Sequence, residues 1–487
     1  MAHRHLPAYR SAGMPDPREY GVICIGTGSS LSVVDAFLRQ HPESRAAVID
    51  RDTPGGICLT RGCIPSKLLL YPAEVVRTIQ RSGEFGIDAR LRSIDFGRVM
   101  RRMRENIGAE VGQIRAGLTS SPQIDYFHEV AEFVAPYTLQ VGGRAIRSKL
   151  ILLGLGSETI VPAVPGLREA GFLTSDSVPE LDKRPDALAI IGGGYIAAEY
   201  AQFFSAMGSK VTVLGRNPRF LPSEDPEIAE VARAGLGRFV TIHTNHEVAR
   251  VASARRGRRR VTAIDRSTGK ELELDVDAVL VAAGRGPTSG VLHPERAGIR
   301  TTPEGWVVVN ERLETSQPGV YALGDANGHH LFKHKANYEA RVVYRNAILG
   351  EAVTADYHAI PHAVFSDPEV AGVGLTEPEA RQAIPPDRLR IGRYRFDGTA
   401  KGEAMGLQGS GYFMKVLTDG GRIVGAHIVG PDAAVLLQEV VTQMYTPDRS
   451  VTPIVEGMHI HPALSEVVER AFLALGPANH HHEHTAA

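Results

Sequence analysis

The stretch Leu188-Ala-Ile-Ile191-Gly192-Gly-Gly194-Tyr195-Ile-Ala197 reads as an apolar strand, a glycine-rich turn and the opening of a helix. Its spacing predicts a helix through Met207 and a following strand over Lys210-Val-Thr-Val-Leu214. In such a unit the glycines let a pyrophosphate approach the backbone, the helix N-terminus favours its negative charge, and the end of the next strand reads a ribose. Counting 21 residues from Gly194 lands on Gly215, followed by Arg216, with Arg219 close by. An acid there would favour a free 2′-hydroxyl, whereas arginine accommodates a 2′-phosphate. A charge-assisted hydrogen bond contributes about 1.5–3 kcal/mol, or about 10–100-fold in affinity. NADPH is therefore expected ahead of NADH; the competing reading has Arg216 and Arg219 solvating a surface turn.

The pattern occurs once more, upstream. Tyr20-Gly-Val-Ile-Cys-Ile25 precedes Gly26-Thr-Gly28-Ser-Ser, a helix expected from about Leu31 to Arg39, and a strand Ala46-Ala-Val-Ile49 that ends on Asp50. Asp50 lies 22 residues beyond Gly28, the distance at which an acid can bind a ribose. Leu31 occupies the third small-residue position, a departure from the pattern. Two such units imply two dinucleotides, one of them a resident electron relay. Beyond about Tyr357 the texture changes to alternating apolar runs and turns. Tyr412-Phe-Met-Lys-Val-Leu417, Thr418-Asp-Gly-Gly421 and Arg422-Ile-Val-Gly-Ala-His-Ile-Val429 predict an antiparallel meander followed by helices, an α+β domain.

The 487 residues, 43% of them hydrophobic, are enough for several cores, and a net charge of −1 gives no reason to expect nucleic-acid binding. No apolar run reaches membrane-spanning length, and Met1 to Pro17 lacks the apolar stretch of a signal peptide, so a cytoplasmic enzyme is expected. The three cysteines, Cys24, Cys58 and Cys63, are too few and odd in number for a secreted disulfide framework.

Cys58 and Cys63 lie in Gly55-Gly-Ile-Cys58-Leu-Thr-Arg61-Gly62-Cys63-Ile-Pro65-Ser-Lys67. Five residues on an ideal helix advance about 7.5 Å, whereas bridged cysteines keep their Cα atoms within about 7 Å. A bridge therefore needs a distorted turn, which Gly62 and Pro65 could supply, and a short irregular disulfide is a candidate for ready reduction. Zinc is the rival ligand, but it takes about four donors, and no second cysteine pair or adjacent histidine cluster completes a site. No bound metal is expected, and the His-rich Asn479–His484 tail is read as disordered.

This segment resembles the active-site signature of the class I pyridine-nucleotide disulfide oxidoreductases, which include dihydrolipoamide dehydrogenase, glutathione reductase, mycothione reductase and mercuric reductase. The resemblance runs from about Tyr20 to Leu475. It implies a fold of two Rossmann-like dinucleotide-binding domains, for FAD and NAD(P), with a C-terminal α+β dimerisation domain. The expected bounds are 19–156 and 285–355 for FAD, 157–284 for NAD(P) and 357–476 for dimerisation, with a flexible 1–18 extension and a 477–487 tail. It also implies that Cys58 attacks the substrate disulfide while Cys63 lies against the flavin. In His459-Ile-His461-Pro-Ala-Leu-Ser-Glu466, His461 matches the family's acid/base and Glu466 its orienting carboxylate, with His459 secondary. Lys67 and Glu199 match an ion pair near the flavin, and Tyr195 an aromatic position covering the nicotinamide pocket. Gly324-Asp325 matches the second FAD motif, and Gly156 and Gly284 end the two strands that cross between domains. The family's His–Glu motif reaches the disulfide of the partner subunit, which implies a homodimer with shared active sites.

The substrate is harder to read. Thr60 and Arg61 replace the residues usual between the cysteines, and Arg61 either favours an anionic substrate or solvates a turn. Lys333-His-Lys-Ala-Asn-Tyr-Glu-Ala-Arg341 looks like mycothione reductases, while the Cys58 segment and overall layout look like dihydrolipoamide dehydrogenases. The lack of C-terminal thiols argues against mercuric ion. The expectation is a small disulfide or dithiol handled in dihydrolipoamide dehydrogenase fashion. The alternatives are an NADPH-dependent mycothione-type reductase and a flavoprotein subunit of a lipoyl multienzyme complex.

Overall fold

The computed structural model describes residues 16–478, so the N-terminal residues 1–15 and the His-rich tail lie outside the described part. The chain forms two compact units. The first comprises 16–65, Arg102–Thr159 and Arg285–Asp356; the second comprises Ser66–Arg101, Ile160–Gly284 and 357–478.

The first unit is built on a parallel five-stranded sheet in the order Val320–Ala322, Ile151–Leu153, Val22–Ile25, Ala46–Ile49, Ile124–Phe127. The strands are short and apolar because both faces are covered, as parallel sheets require. Successive side chains serve opposite cores. Ile23, Ile25, Ala47, Ile49 and Ile151 pack on one face, and Val22, Cys24, Ala46, Val48 and Leu152 on the other with the helix Leu31–Gln40. Cys24 is thus a core residue, fully buried, and burial pushes its thiol up to about 12.

The second unit repeats the device. Its parallel sheet runs Leu173–Thr174, Ala278–Val281, Ala187–Ile191, Lys210–Leu214, Thr241–His243, with the helix Tyr195–Ala206 following the glycine turn. A six-stranded antiparallel sheet forms the C-terminal part, in the order His362–Val364, Val370–Gly374, Arg422–Val429, Phe413–Asp419, Leu389–Arg395, Gly476–Pro477. The expected hairpin is present, turning through Gly420 and Gly421. The sheet departs from a plain meander: Val370–Gly374 pairs with Arg422–Val429, and the helix Glu377–Ala383 intervenes before Leu389–Arg395. The helices Ala433–Met444 and Glu466–Leu473 cover it, with Leu437, Val440, Val467 and Phe472 packed on Met414, Val416, Ala426 and Ile428.

Contacts place Ser66–Arg101 with the second unit, although its sequence lies between parts of the first glycine-turn unit. The reason is local packing on the helix Tyr195–Ala206. The Arg77 guanidinium donates to Ser205 Oγ (2.7 Å), and the Phe96 ring lies 6.0 Å from that of Phe203. Among the described residues no helix is long and apolar enough to cross a membrane.

Candidate active site

In the first unit, Gly26 has φ +97°, and a Cβ there would stand 2.1 Å from the Gly154 carbonyl oxygen. At Gly28, by contrast, a Cβ would meet nothing within 4 Å, so the turn leaves an open cradle. Asp50 is aimed back at this turn: its Oδ2 accepts from the Thr27 N–H (2.8 Å) and hydroxyl (2.5 Å), and its Oδ1 from the Asp52 N–H (2.9 Å).

Gly324 and Asp325 follow the strand Val320–Ala322, and Asp325 Oδ2 accepts from Ser157 Oγ (2.6 Å), which accepts in turn from Arg285 Nε (2.7 Å). Gly156 directly precedes that serine, at a φ of +67°. Beneath this turn lies a buried pair. Lys335 Nζ donates to Glu339 Oε2 (3.1 Å), the Gly324 carbonyl (3.0 Å) and Asn327 Oδ1 (2.9 Å), and Glu339 accepts from the Gly324 N–H (2.7 Å). Both side chains are at most 1% exposed. Burial pulls the Lys335 ammonium below its ordinary value, against the opposing pull of Glu339. An unpaired buried charge is costly, so the pair fixes the Gly324 turn firmly.

The cysteines straddle a helix break. Cys58 lies in the short helix Gly56–Thr60, and Cys63 opens the helix Cys63–Arg81. Arg61 and Gly62 form the break, whereas Pro65 sits within the first turn of the second helix and takes no part in it. A Cβ at Gly62 would lie 2.9 Å from the Ile57 carbonyl oxygen, so glycine lets the chain fold back. Cys58 is half-buried and Cys63 exposed. Contact with the Cys63 thiol, then burial, push the Cys58 thiol up, while the Lys333 charge pulls it down. Arg61 pairs with Asp52 (2.6 Å), so its guanidinium is engaged within the protein.

In the second unit, Lys67 Nζ meets Glu199 Oε1 at 2.7 Å and lies 4.5 Å from the Phe365 ring centroid. Glu199 is 8% exposed and also accepts from the Phe365 N–H (3.3 Å). Gly192 repeats Gly26: φ is +133°, and a Cβ would stand 2.1 Å from the Ala282 carbonyl oxygen. Gly194 repeats Gly28, with nothing within 4 Å. Ala197 is fully buried in the helix. Gly284, at φ +117°, ends the apolar run from Ala278. Arg216 and Arg219 are exposed at the end of the strand Lys210–Leu214.

Tyr195 has partners that its sequence neighbourhood does not suggest. Its hydroxyl donates to Glu224 Oε1 (2.5 Å), and Glu224 Oε2 lies 2.9 Å from His362 Nε2. Burial pushes the Glu224 carboxyl up, but its bonds to His362 and Tyr195 outweigh that and hold it below its ordinary value. At the chain's C-terminal end, His461 Nδ1 lies 2.9 Å from Glu466 Oε1, with the imidazole 68% exposed and the carboxylate 5% exposed. Glu466 also accepts from Arg470 Nη2 (3.1 Å) and the Ala463 N–H (3.2 Å). The His461 contact, first among these, holds its carboxyl below the ordinary value. His459 differs from His461: it is 9% exposed and sits 2.9 Å from Glu439. Met458 and Ile460, on either side of it, are fully and largely exposed.

Residues 20–348 match the family of pyridine nucleotide-disulphide oxidoreductases, and residues 360–472 match that family's dimerisation domain. The chain belongs to this family. It is a flavin-dependent disulfide oxidoreductase whose cofactors are FAD and a nicotinamide dinucleotide. It is 34% identical over 479 residues to mycothione reductase of Mycobacterium tuberculosis, spanning 94% of this chain and 99% of that one. It is 32% identical to dihydrolipoyl dehydrogenase of Chlamydia pneumoniae, over 94% and 97% of the two chains. Among solved structures, a Cu(II) complex of the HOCl-induced flavoprotein disulfide reductase RclA from Escherichia coli superimposes with a TM-score of 0.81 at 28% identity, covering 94% of this chain and 99% of that one.

Proposed function

We propose that the chain is an NADPH-dependent reductase of a small disulfide, working as a homodimer through the Cys58–Cys63 pair. The observation that carries the nucleotide choice is the pair of exposed arginines, Arg216 and Arg219, where an acid would read a free ribose. The two open cradles fit the two cofactors: Gly28 with Asp50 and Asp325 for FAD, and Gly194 with Arg216 and Arg219 for the nicotinamide nucleotide. The bound cofactors supply two-electron transfer to the cysteine pair. Lys67, paired with Glu199, lies one turn beyond Cys63 on the same helix.

Cys58 is the attacking thiol. Its thiolate displaces one sulfur of the substrate disulfide, forming a mixed disulfide, and the leaving thiolate takes a proton from the His461 imidazolium. The Cys63 thiolate then attacks Cys58 Sγ, closing the Cys58–Cys63 bond and expelling the second substrate sulfur as a thiolate, which takes its proton from solvent. Glu466, kept ionised by its hydrogen bonds, orients the imidazole through Nδ1 and leaves Nε2 for the proton. The 68% exposure of that imidazole beside bare Met458 and Ile460 fits a histidine that serves the cysteine pair of a second protomer.

For the substrate we infer a low-molecular-weight disulfide of the mycothione type, supported by the mycothione reductase relative; lipoamide is the second reading, supported by the dihydrolipoyl dehydrogenase relative. A steady-state panel pairing NADPH or NADH with mycothione, glutathione disulfide and lipoamide tests both choices. NADPH-linked turnover of mycothione is expected. NADH-linked lipoamide turnover with little NADPH activity would overturn the nucleotide and the substrate together.

A further inference from the structure

Lys333 opens the helix Lys333–Ala347 and reaches across to the first glycine turn. Its Nζ donates to Ser29 Oγ (2.8 Å), and that hydroxyl donates on to Asn337 Oδ1 (2.8 Å), one turn along the same helix. The ammonium is thus held beside the residue that follows Gly28, where a Cβ would meet nothing within 4 Å. An ammonium has three N–H donors, and Ser29 takes one.

Charge partners distinguish this lysine from its neighbour. Lys335, two residues on, is 1% exposed and pairs with Glu339. Lys333 is half-buried, and among the described residues it forms no ion pair. The acids of the same site are already engaged with hydroxyls, Asp50 with Thr27 and Asp325 with Ser157. Asp52, just beyond, pairs with Arg61. A long side chain gives up rotamer freedom when it is fixed, and one neutral hydroxyl offsets little of that for a charged group. A dinucleotide brings the missing anion. The turn's backbone N–H groups and the N-terminus of the helix Leu31–Gln40 offer a pyrophosphate partial charges only. A lysine offers it a full charge.

We propose that Lys333 binds the pyrophosphate of FAD, with Ser29 and Asn337 positioning its ammonium at the mouth of the Gly26–Gly28 turn. This rests on the assignment of that turn to FAD. The lysine falls outside the glycine–acid pattern that marks the turn, 304 residues from Ser29 in sequence. Its charge also reaches the Cys58 thiol, which contact with Cys63 and burial push up and Lys333 pulls down. Flavin and thiol are therefore read separately.

Release of FAD from the purified holoenzyme, followed by the fluorescence of free flavin after dilution, tests this without turnover. Lys333→Met should release FAD about 10–100-fold faster, the effect of losing one charge-assisted hydrogen bond. Added salt should speed release from the parent more than from this variant, and Lys333→Arg should restore most of the parent's retention. A parent-like release rate or salt dependence in Lys333→Met, or an equal loss in Lys333→Arg, would overturn the proposal. So would ordinary flavin retention with a shifted pH profile of Cys58 alkylation, which would make Lys333 a partner of the thiol alone. Should Lys333→Met fail to fold, Lys333→Gln carries the same outcomes. If Gly26→Val keeps FAD as tightly as the parent, the assignment of the turn falls and the lysine with it. Flavin lost in Gly26→Val but kept in Lys333→Met removes the lysine only.

Discussion

At Gly26 and at Gly192 the chain meets the same steric problem, a strand end pressed so close to a neighbouring carbonyl that a Cβ would stand 2.1 Å from its oxygen. Two residues on, at Gly28 and Gly194, both turns open into space. The likeness ends at the next strand. The first turn has Asp50 bonded back onto Thr27, whereas the second has Gly215 and two exposed arginines. The supports differ as well. The first site leans on the buried Lys335–Glu339 pair under Gly324, and the second on the Glu224 carboxylate reaching Tyr195. The two turns thus share their backbone geometry, and the residues at the following strand ends are what tell them apart.

The largest expected effect separates both turns from the chemistry they feed. Cys58→Ser should abolish disulfide turnover while NADPH still bleaches the flavin absorbance; full turnover in this variant would sink the proposed mechanism. Next come the glycines. Gly26→Val should yield protein that does not retain FAD. Gly192→Val should yield yellow protein in which the nicotinamide nucleotide neither binds nor reduces the flavin, since each Cβ would collide with backbone. If both variants lost flavin alike, the two turns would not be independent sites.

Replacing Arg216 and Arg219 together by alanine should reduce the kcat/KM preference for NADPH over NADH by about 10–100-fold, with flavin content unchanged. The smallest effect serves as a control outside both turns. Burial first, then the charges of Asp432 and Glu74, push the Glu369 carboxyl up to about 7. The folded state then holds a proton that the unfolded state releases near pH 4.5, so the chain loses stability as pH rises from about 4.5 through about 7. Glu369→Gln should therefore raise the melting temperature at pH 8 by a few degrees, about 1–2 kcal/mol after allowance for its partial exposure. It should do nothing at pH 4 and leave both cofactor affinities alone.

Much of this was legible in the chain. Ala46–Ile49, Lys210–Leu214 and Arg422–Val429 begin and end where the residue pattern puts them, because apolar β-branched runs bounded by glycine and polar residues leave little choice of register. The His461–Glu466 contact is equally local, five residues apart in sequence. What could not be read is what joins distant segments. Glu224 reaches His362 across 138 residues, and Lys415 reaches Asp225 across 190. No periodicity marks either, since each is a charged residue whose burial becomes reasonable only once its partner is placed. Lys335 and Glu339 did carry a weak signal, opposite charges at helical i,i+4 spacing, but that spacing is commonplace on solvated helices.

Cys24 gives this protein an internal blank. Its sulfur alternates into the core beside Val22 and Leu152, with its proton held to about pH 12. An alkylating reagent applied to the reduced, folded chain therefore meets only Cys58 and Cys63, and the third thiol enters the tally on denaturation. The difference between the two stoichiometries measures the integrity of the sheet, and the first alone measures the redox state of the pair.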